Sequence, residues 1–311
     1  MTFKSEMKNV NIIVPQYHSS YCLDDCSYCG FKKSNKSIPR RRLSEDDFKK
    51  EIQLLLNWGY KTIEFVYSSD RFFKPAVIAK RIEYVKELGA KKNMKLRIGL
   101  NTEPLDYEDY KILKSSGLDF FVMWMETYSK EKFKYWHGTK TPKSNYTYRY
   151  EAYERAIEAG IDNYGMGVLF GLNYWKDEIV ALINHANYLS QKYNHKPYII
   201  GVPRIKQAHS VILNGQLKPV LDNEFIEACN MYKQAFPETM LFFNTRESFE
   251  LNLKCCSNND LFTIDCGTYP GAFLDPNLTK NGIEQFHTNY YERVCIINKL
   301  EQNKINPNFD W

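Results

Sequence analysis

Short apolar stretches alternate with longer amphipathic stretches along most of the 311-residue sequence. Such alternation is typical of strands and helices that follow one another in a parallel α/β sheet. The pattern predicts strands at residues 10–14, 62–67, 96–101, 120–125, 164–170, 198–202, 240–244 and 261–265. Eight strand–helix units in a chain of this length predict a single-domain α/β fold, a complete or nearly complete (β/α)8 TIM-type barrel.

Helices between these strands are predicted from periodicity and from capping residues. Ser44, with Asp47 three residues later, predicts a helix start, and Gly160 predicts a helix end. The predicted helices lie at residues 44–58, 77–93, 107–116, 146–159, 175–193, 223–236 and 247–256. We expect a barrel over residues 1–275, closed by residues 276–311, which form a C-terminal helix near 289–300 and an extended tail.

Three cysteines, Cys22, Cys26 and Cys29, lie close together with the spacing C-x3-C-x2-C. Three crowded thiolates can ligate three irons of a cubic 4Fe-4S cluster and leave the fourth iron open to a small molecule. The motif follows the first predicted strand, so we expect it at the C-terminal end of the barrel, where this fold places reactive groups.

Other uses of these cysteines fit less well. A structural zinc site needs a matching pair of ligands downstream, and Cys255 and Cys256 are adjacent rather than spaced as C-x2-C. A disulfide framework is not expected in a chain of this size with 8 cysteines and no export signal. Because the sequence contains no run of 18 apolar residues, we expect no membrane span. Since the cysteines are expected to be unpaired, we also expect a location in the reducing cytoplasm. The formal net charge of +5 neither requires nor excludes nucleic acid, and we expect no such partner.

Polar residues follow several predicted strands, at positions that a barrel would bring to one end. Arginines and carboxylates that converge there would suit a small zwitterionic ligand. The residues in question are Ser68, Ser69 and Asp70, then Glu126, Arg204, Arg246 and Asp265.

Short stretches outside the cysteine motif occur in a familiar order: Met125-Glu126-Thr127-Tyr128, the run 142–146 with Arg149, the glycine-rich run 165–172, Pro203-Arg204-Ile205 and Thr245-Arg246-Glu247. With the cysteine spacing, they resemble the radical SAM superfamily and, within it, the aromatic amino acid lyases. That group includes the tyrosine lyases of thiamin thiazole synthesis and of iron-only hydrogenase maturation, and the tryptophan lyase of nosiheptide biosynthesis.

The resemblance implies particular roles for the matching residues. A 4Fe-4S cluster would be bound by Cys22, Cys26 and Cys29, and S-adenosylmethionine (SAM) by its open iron. Further SAM contacts are implied for Tyr28 by the adenine, for Ser68, Ser69 and Asp70 near the ammonium group, and for Glu126 and Arg149 at the ribose and methionine carboxylate.

For the substrate, the resemblance implies that Arg246 binds the carboxylate of an amino acid, with Arg204 as a second candidate, since a guanidinium suits a carboxylate bidentately. A low-potential electron donor such as flavodoxin or ferredoxin is also implied.

Two departures from the family pattern bear on the reaction. Only about twenty residues precede Cys22, and no second cysteine motif follows the barrel, so release of carbon monoxide and cyanide on a second cluster is not expected. Asp265 stands where the lyases tend to have small neutral residues, which would favour a more positive ligand.

We therefore expect a radical SAM enzyme that fragments a free α-amino acid in cofactor or natural-product biosynthesis. Two alternatives lie in the same superfamily: a mutase acting on a basic amino acid, similar to methylornithine synthase, and synthesis of a metal-cofactor ligand. An iron–sulfur scaffold without catalysis is the alternative of another class. Such a scaffold would have no use for Asp70, Glu126 and Arg149 together.

Overall fold

The computed structural model describes residues 7–213, 215–280, 283–289 and 292–311. Within these ranges nine strands form one parallel sheet. The strands are Lys8–Tyr17 (β1), Thr62–Val66 (β2), Arg97–Asn101 (β3), Phe120–Val122 (β4), Tyr164–Gly167 (β5), Ile199–Gly201 (β6), Met240–Phe243 (β7), Asp260–Thr263 (β8) and Ile305–Asn308 (β9).

Strands β1 to β8 pair in chain order, and β1 closes the ring by pairing with both β2 and β8. Val14 lies opposite Ile63 of β2, and Val10 lies opposite Asp260 of β8. The predicted (β/α)8 TIM-type barrel is thereby confirmed. The predicted extended tail contains β9, which pairs with the first residues of β1, so that Lys8 lies opposite Ile305.

Helices surround the barrel, and four of them begin after a serine or asparagine whose side chain caps the first turn. The Ser44 side chain accepts a hydrogen bond from the backbone of Asp47 at the first helix start, as predicted. The helices are Glu45–Asn57 (α1), Pro75–Lys91 (α2), Tyr107–Ser115 (α3), Lys130–His137 (α4), Tyr146–Tyr150 (α5), Ala152–Glu158 (α6), Trp175–Tyr193 (α7), Asp222–Ala235 (α8), Phe249–Cys255 (α9), Asn277–Lys280 (α10) and Arg293–Gln302 (α11).

Two helical features differ from the sequence-based expectation. The helix predicted at 146–159 is interrupted at Glu151, after a run of tyrosine and threonine residues that have only moderate helix propensity. Helix α4 lies between the predicted strand at 120–125 and the predicted helix at 146–159, where the sequence predicts only a long polar connection. Its start has a capping signal, because the Ser129 side chain accepts a hydrogen bond from the backbone of Lys132.

Apolar side chains fill the N-terminal half of the barrel interior. A buried cluster there includes Ile13, Phe120 and Leu261, and Trp311 packs against it from the chain end. The Trp311 indole donates a hydrogen bond to the Ile12 carbonyl at 2.9 Å. Open space inside the barrel is therefore confined to the C-terminal ends of the strands.

Trp124 forms the floor of that open space. Its indole lies against the backbones of Gly167 and Gly201, where an added Cβ would come within 2.5 Å of the ring at either glycine. Glycine is therefore required at both positions for the ring to approach the backbone this closely. Among the described residues, no helix is both long and apolar enough to cross a membrane.

Candidate active site

One cavity at the C-terminal ends of the strands collects most of the predicted site residues. The cysteine loop between β1 and α1 forms one wall, and residues that follow the strands form the others. Its lining includes Cys22, Asp24, Cys26, Tyr28, Cys29, Glu64, Ser68, Ser69, Asn101, Glu103, Trp124, Glu126, Lys143, Arg149, Phe242, Arg246, Cys266 and Phe286.

The three cysteines of the motif reach this cavity together, each as a free thiol. Burial raises the pKa of Cys22 to about 12 and also raises the pKa of Cys26 and of Cys29. Backbone N–H groups of Asp24 and Phe31 each lie 3.4 Å from a cysteine sulfur, and such donors stabilise thiolates. Buried thiolates need positive charge nearby, which a metal centre supplies. The donor set and its burial therefore fit a 4Fe-4S cluster with three protein ligands.

Glu126 lies beside this cysteine wall in an uncommon backbone conformation, with φ of 69°. Its carboxylate forms a buried ion pair with the Lys143 ammonium at 2.6 Å. Burial would raise the pKa of Glu126, but Lys143 and Arg149 outweigh that effect and hold the pKa below its ordinary value. Glu126 thus remains a charged acceptor inside the cavity. Lys143 was not predicted as a site residue, although it lies in a stretch that carries the family resemblance.

Tyr28 and Arg149 are both held in place by protein partners. The Tyr28 hydroxyl lies 2.8 Å from Nε2 of His137 and 3.3 Å from the Lys143 ammonium. The Arg149 guanidinium donates two hydrogen bonds to the Trp124 carbonyl, at 2.6 and 3.0 Å. These contacts fix an aromatic ring and a cation next to Glu126.

Asp70 lies outside the cavity lining, contrary to the expectation that it faces SAM. Its carboxylate accepts two hydrogen bonds from Arg42, at 2.7 and 2.9 Å, and one from the Ser19 hydroxyl at 2.6 Å. Burial would raise the pKa of Asp70, but the hydrogen bonds from Arg42 and Ser19 hold it below its ordinary value. The carboxylates that do reach the cavity next to Ser69 are Asp24 and Glu103.

This placement predicts that Asp70→Asn weakens the fold and spares ligand binding. Removing the Asp70 charge is expected to cost about 1–3 kcal/mol of unfolding free energy, since hydrogen bonds to charged groups are worth about that much. We expect the SAM dissociation constant to change by less than about twofold, measured by anaerobic calorimetry. Glu103→Gln, which alters the cavity lining, is the matched comparison. A large loss of SAM affinity in Asp70→Asn without any loss of stability would contradict the placement.

Arg246 is a half-buried cation without an anionic partner in the described part of the chain. Its guanidinium carbon lies 3.3 Å from the centroid of the Phe286 ring, and its Nη1 lies 3.5 Å from the Arg204 carbonyl. Its Nε has no hydrogen-bond partner. Burial lowers the pKa of Arg246, yet the group stays charged because its ordinary pKa is so high. A half-buried guanidinium with free donors is suited to receive a carboxylate.

Arg204 and Asp265 lie outside the cavity lining, contrary to the expectation that they face the ligand. Arg204 pairs with Glu247 and with Asp222, the latter at 2.9 Å. Asp265 accepts a hydrogen bond from the Tyr60 hydroxyl and lies 3.7 Å from an Arg293 nitrogen. Both charges are therefore matched by protein groups.

Glu64, on β2, is a buried carboxyl group that the sequence did not single out. It is 2% exposed, lines the cavity and accepts a hydrogen bond from Asn101 at 3.0 Å. Burial raises the pKa of Glu64 to about 7, and the Asn101 hydrogen bond opposes the shift only in part. The cavity thus contains a carboxyl group whose charge changes near neutral pH.

The shifted pKa of Glu64 predicts a pH-dependent stability. The folded protein binds this proton more tightly than the unfolded chain, so the stabilisation is complete below pH 4.5 and is lost as pH rises through 7. We expect the stability advantage of Glu64→Gln over the wild type to be about 1 kcal/mol larger at pH 8.5 than at pH 6, measured by thermal unfolding. Glu51→Gln, which replaces a carboxyl with a similarly raised pKa outside the cavity, is the companion variant. If the stability of Glu64→Gln changed with pH in parallel with that of the wild type, Glu64 would be shown to be ionised across this pH range.

Comparisons with known proteins agree with this geometry. The family model described as the radical SAM superfamily matches residues 17–185, more than half of the chain. The 2-iminoacetate synthase of Escherichia coli K12 is 29% identical over 273 residues, which cover 86% of this chain and 69% of that protein.

Solved structures are also similar to this chain. The crystal structure of HydG, a maturase of the [FeFe]-hydrogenase, superposes with a TM-score of 0.88 at 28% identity over 97% of this chain. This chain spans 65% of that HydG structure, somewhat less than two thirds of it. Methylornithine synthase (PylB) superposes with a TM-score of 0.74 at 17% identity, which shows a shared fold only.

Proposed function

Because this chain belongs to the radical SAM superfamily, we propose that it uses SAM and a 4Fe-4S cluster to break a carbon–carbon bond in a free aromatic amino acid, with tyrosine the first candidate. One observation carries this proposal. The cysteine motif, the Glu126 carboxylate and the unpaired Arg246 guanidinium line the same cavity. A scaffold that only stores a cluster has no need for such a cavity.

The cluster end of the cavity would use residues already described. Cys22, Cys26 and Cys29 ligate the cluster. When bound, the cluster and SAM together supply a 5'-deoxyadenosyl radical that abstracts one hydrogen atom from the substrate. Protein contacts to SAM are proposed for Tyr28 at the adenine, for Ser68 and Ser69 with Asp24 or Glu103 at the ammonium group, and for Glu126, Lys143 and Arg149 at the ribose and methionine carboxylate.

The other end of the cavity suits an amino acid. Arg246 would bind the substrate carboxylate through paired hydrogen bonds. Aromatic rings of Trp124, Phe242 and Phe286 line the same space and suit an aromatic side chain. The chain's task is then to hold one substrate hydrogen about 3–3.5 Å from the reacting carbon and to exclude water. Loss of a hydrogen atom from the amino nitrogen weakens the bond between the α- and β-carbons, which would break homolytically to give an imine and a 4-hydroxybenzyl radical. One electron from the low-potential donor and one proton would convert that radical into p-cresol.

A second candidate, a mutase acting on a basic amino acid, is favoured by Glu64. Its carboxyl group lines the cavity, and in its ionised form it could accept a hydrogen bond from a side-chain ammonium group. The same oxygen could accept from a phenol instead. Both reactions share the carboxylate contact with Arg246, so product identity separates them.

The test is anaerobic incubation of the reconstituted protein with SAM, dithionite and each common amino acid in turn. Products are identified by mass. We expect tyrosine to stimulate formation of 5'-deoxyadenosine and to yield p-cresol. Stimulation by lysine or ornithine, with an isomeric product, would establish the mutase instead. For the cell we propose reduction by flavodoxin or ferredoxin in the cytoplasm, with no role for nucleic acid or a membrane.

A further inference from the structure

Two histidines and a glutamate meet beside the cavity, on segments whose neighbouring residues line it. Nδ1 of His209 lies 2.7 Å from Oε1 of Glu284, and Nδ1 of His287 lies 3.8 Å from the same oxygen. One ligand atom from each residue lies within 4.8 Å of the other two. We propose that these three side chains bind a divalent transition-metal ion, with Zn²⁺ as the best match. Two imidazoles and one carboxylate are typical zinc ligands, whereas Mg²⁺ and Ca²⁺ prefer oxygen alone.

Glu284 is the buried member of this group. It is 5% exposed, whereas the side chains of His209 and His287 are 65% and 50% exposed. Within the described residues, no lysine or arginine forms an ion pair with the Glu284 carboxylate, and its ion-pair partners are the two imidazoles. A buried carboxylate needs a positive partner. A metal ion bound between the two imidazoles and the carboxylate can provide that charge.

Backbone contacts hold His209 and the segment of Glu284 in place before any ion binds. The backbone N–H of His209 donates to Oε1 of Glu284 at 3.3 Å. The Gly30 N–H donates to the Gln285 carbonyl at 2.8 Å, directly after the last cysteine of the motif. A Cβ on Gly30 would lie 2.0 Å from the Glu284 carbonyl oxygen, so this close approach depends on glycine. The ligand-bearing segment is therefore fastened to the cysteine loop.

The proposed ion would join two segments that border the cavity. One segment carries Ile205 and Lys206 shortly before His209, and both of these residues line the cavity. The other carries Gln285 and Phe286 between the remaining two ligands, and both of these also line it. Phe286 is the residue whose ring covers Arg246. A bound ion would thus fix the ring that packs on the proposed carboxylate-binding arginine.

The test uses protein whose 4Fe-4S cluster has been reconstituted anaerobically, so that the motif cysteines are occupied. Zinc binding is measured by competition with a chromophoric chelator for the wild type, His209→Ala, His287→Ala and the double variant. We expect one Zn²⁺ per protein in the wild type, and an affinity at least about 100-fold weaker in each single variant. His195→Ala is the matched control, since His195 pairs with Asp162 at a surface site elsewhere, and it should bind zinc as the wild type does.

A second readout does not depend on affinity. Zinc is expected to slow amide hydrogen exchange in residues 205–213 and 283–289 of the wild type, and to leave exchange in the double variant unchanged. Circular dichroism of each variant verifies that it is folded. Equal zinc binding by the wild type and the double variant would overturn the proposal. So would a wild type that binds no zinc, because the three side chains would then contact only one another.

Discussion

Arg246→Lys is expected to lower kcat/KM for the amino acid by about 100- to 1,000-fold, because truncating one partner of a buried charge pair costs about 2–5 kcal/mol. Lysine keeps the charge but loses the planar fork that binds a carboxylate through two parallel hydrogen bonds. Arg204, the other arginine predicted to contact the carboxylate, is paired with Glu247 and Asp222 and cannot readily replace Arg246. The loss should therefore appear in substrate binding and in the coupling of SAM cleavage to substrate turnover.

The iron content and the SAM dissociation constant of Arg246→Lys are expected to match the wild type, because the cysteines and Glu126 are untouched. Arg97→Lys is the matched control. Arg97 begins β3 at the opposite end of the barrel, where its guanidinium packs over the Trp311 ring at 4.4 Å. Undiminished turnover in Arg246→Lys would show that the substrate carboxylate binds elsewhere.

Cys26→Ala is expected to abolish cluster assembly and to reduce 5'-deoxyadenosine formation by at least about 1,000-fold. Cys26 is the most deeply buried thiol of the motif, and its backbone carbonyl accepts a hydrogen bond from the Cys29 N–H at 3.0 Å. Loss of its sulfur leaves two ligands, too few to hold three irons. Iron analysis and the absorption of the reconstituted protein near 400 nm measure the loss.

Cys295→Ala is the control for that substitution. Cys295 lies exposed on α11, and its removal is expected to leave iron content and activity unchanged. A Cys26→Ala protein that still binds four irons would show that another residue completes the site, and Cys266, which also lines the cavity, would be the first candidate.

The barrel could be predicted because each strand–helix unit has its own signal in the sequence. Strand lengths were less predictable. The apolar run 120–125 continues past the end of β4 at Val122, and the Met123 and Met125 N–H groups still donate to carbonyls of β5. The Trp124 carbonyl between them accepts hydrogen bonds from the Arg149 side chain instead of from a neighbouring strand. The ninth strand was expected only as an extended end, because its pairing with Lys8–Asn11 joins the two ends of the chain. Contacts so distant in sequence have no local pattern.

Three predicted site residues that lie outside the cavity lining, Asp70, Arg204 and Asp265, are each adjacent in sequence to a residue that lines it. Asp265 and Cys266 are adjacent, yet only Cys266 lines the cavity, because successive side chains near a strand end point in opposite directions. Asp70 follows a strand as expected, but its carboxylate pairs with Arg42, which lies in the loop between β1 and α1. Lys143 reaches Glu126 from a connection that has no strand of its own. For Asp70 and Glu126, the residue that pairs with the carboxylate is distant in sequence.

The most direct test of the account is the amount of 5'-deoxyadenosine formed by cluster-loaded protein with SAM and dithionite, with and without tyrosine. We predict that tyrosine stimulates its formation, and that tyramine, which lacks the carboxylate for Arg246, does not. Protein with four irons that forms no 5'-deoxyadenosine under any of these conditions would contradict the central claim, that this cavity carries out radical chemistry with SAM.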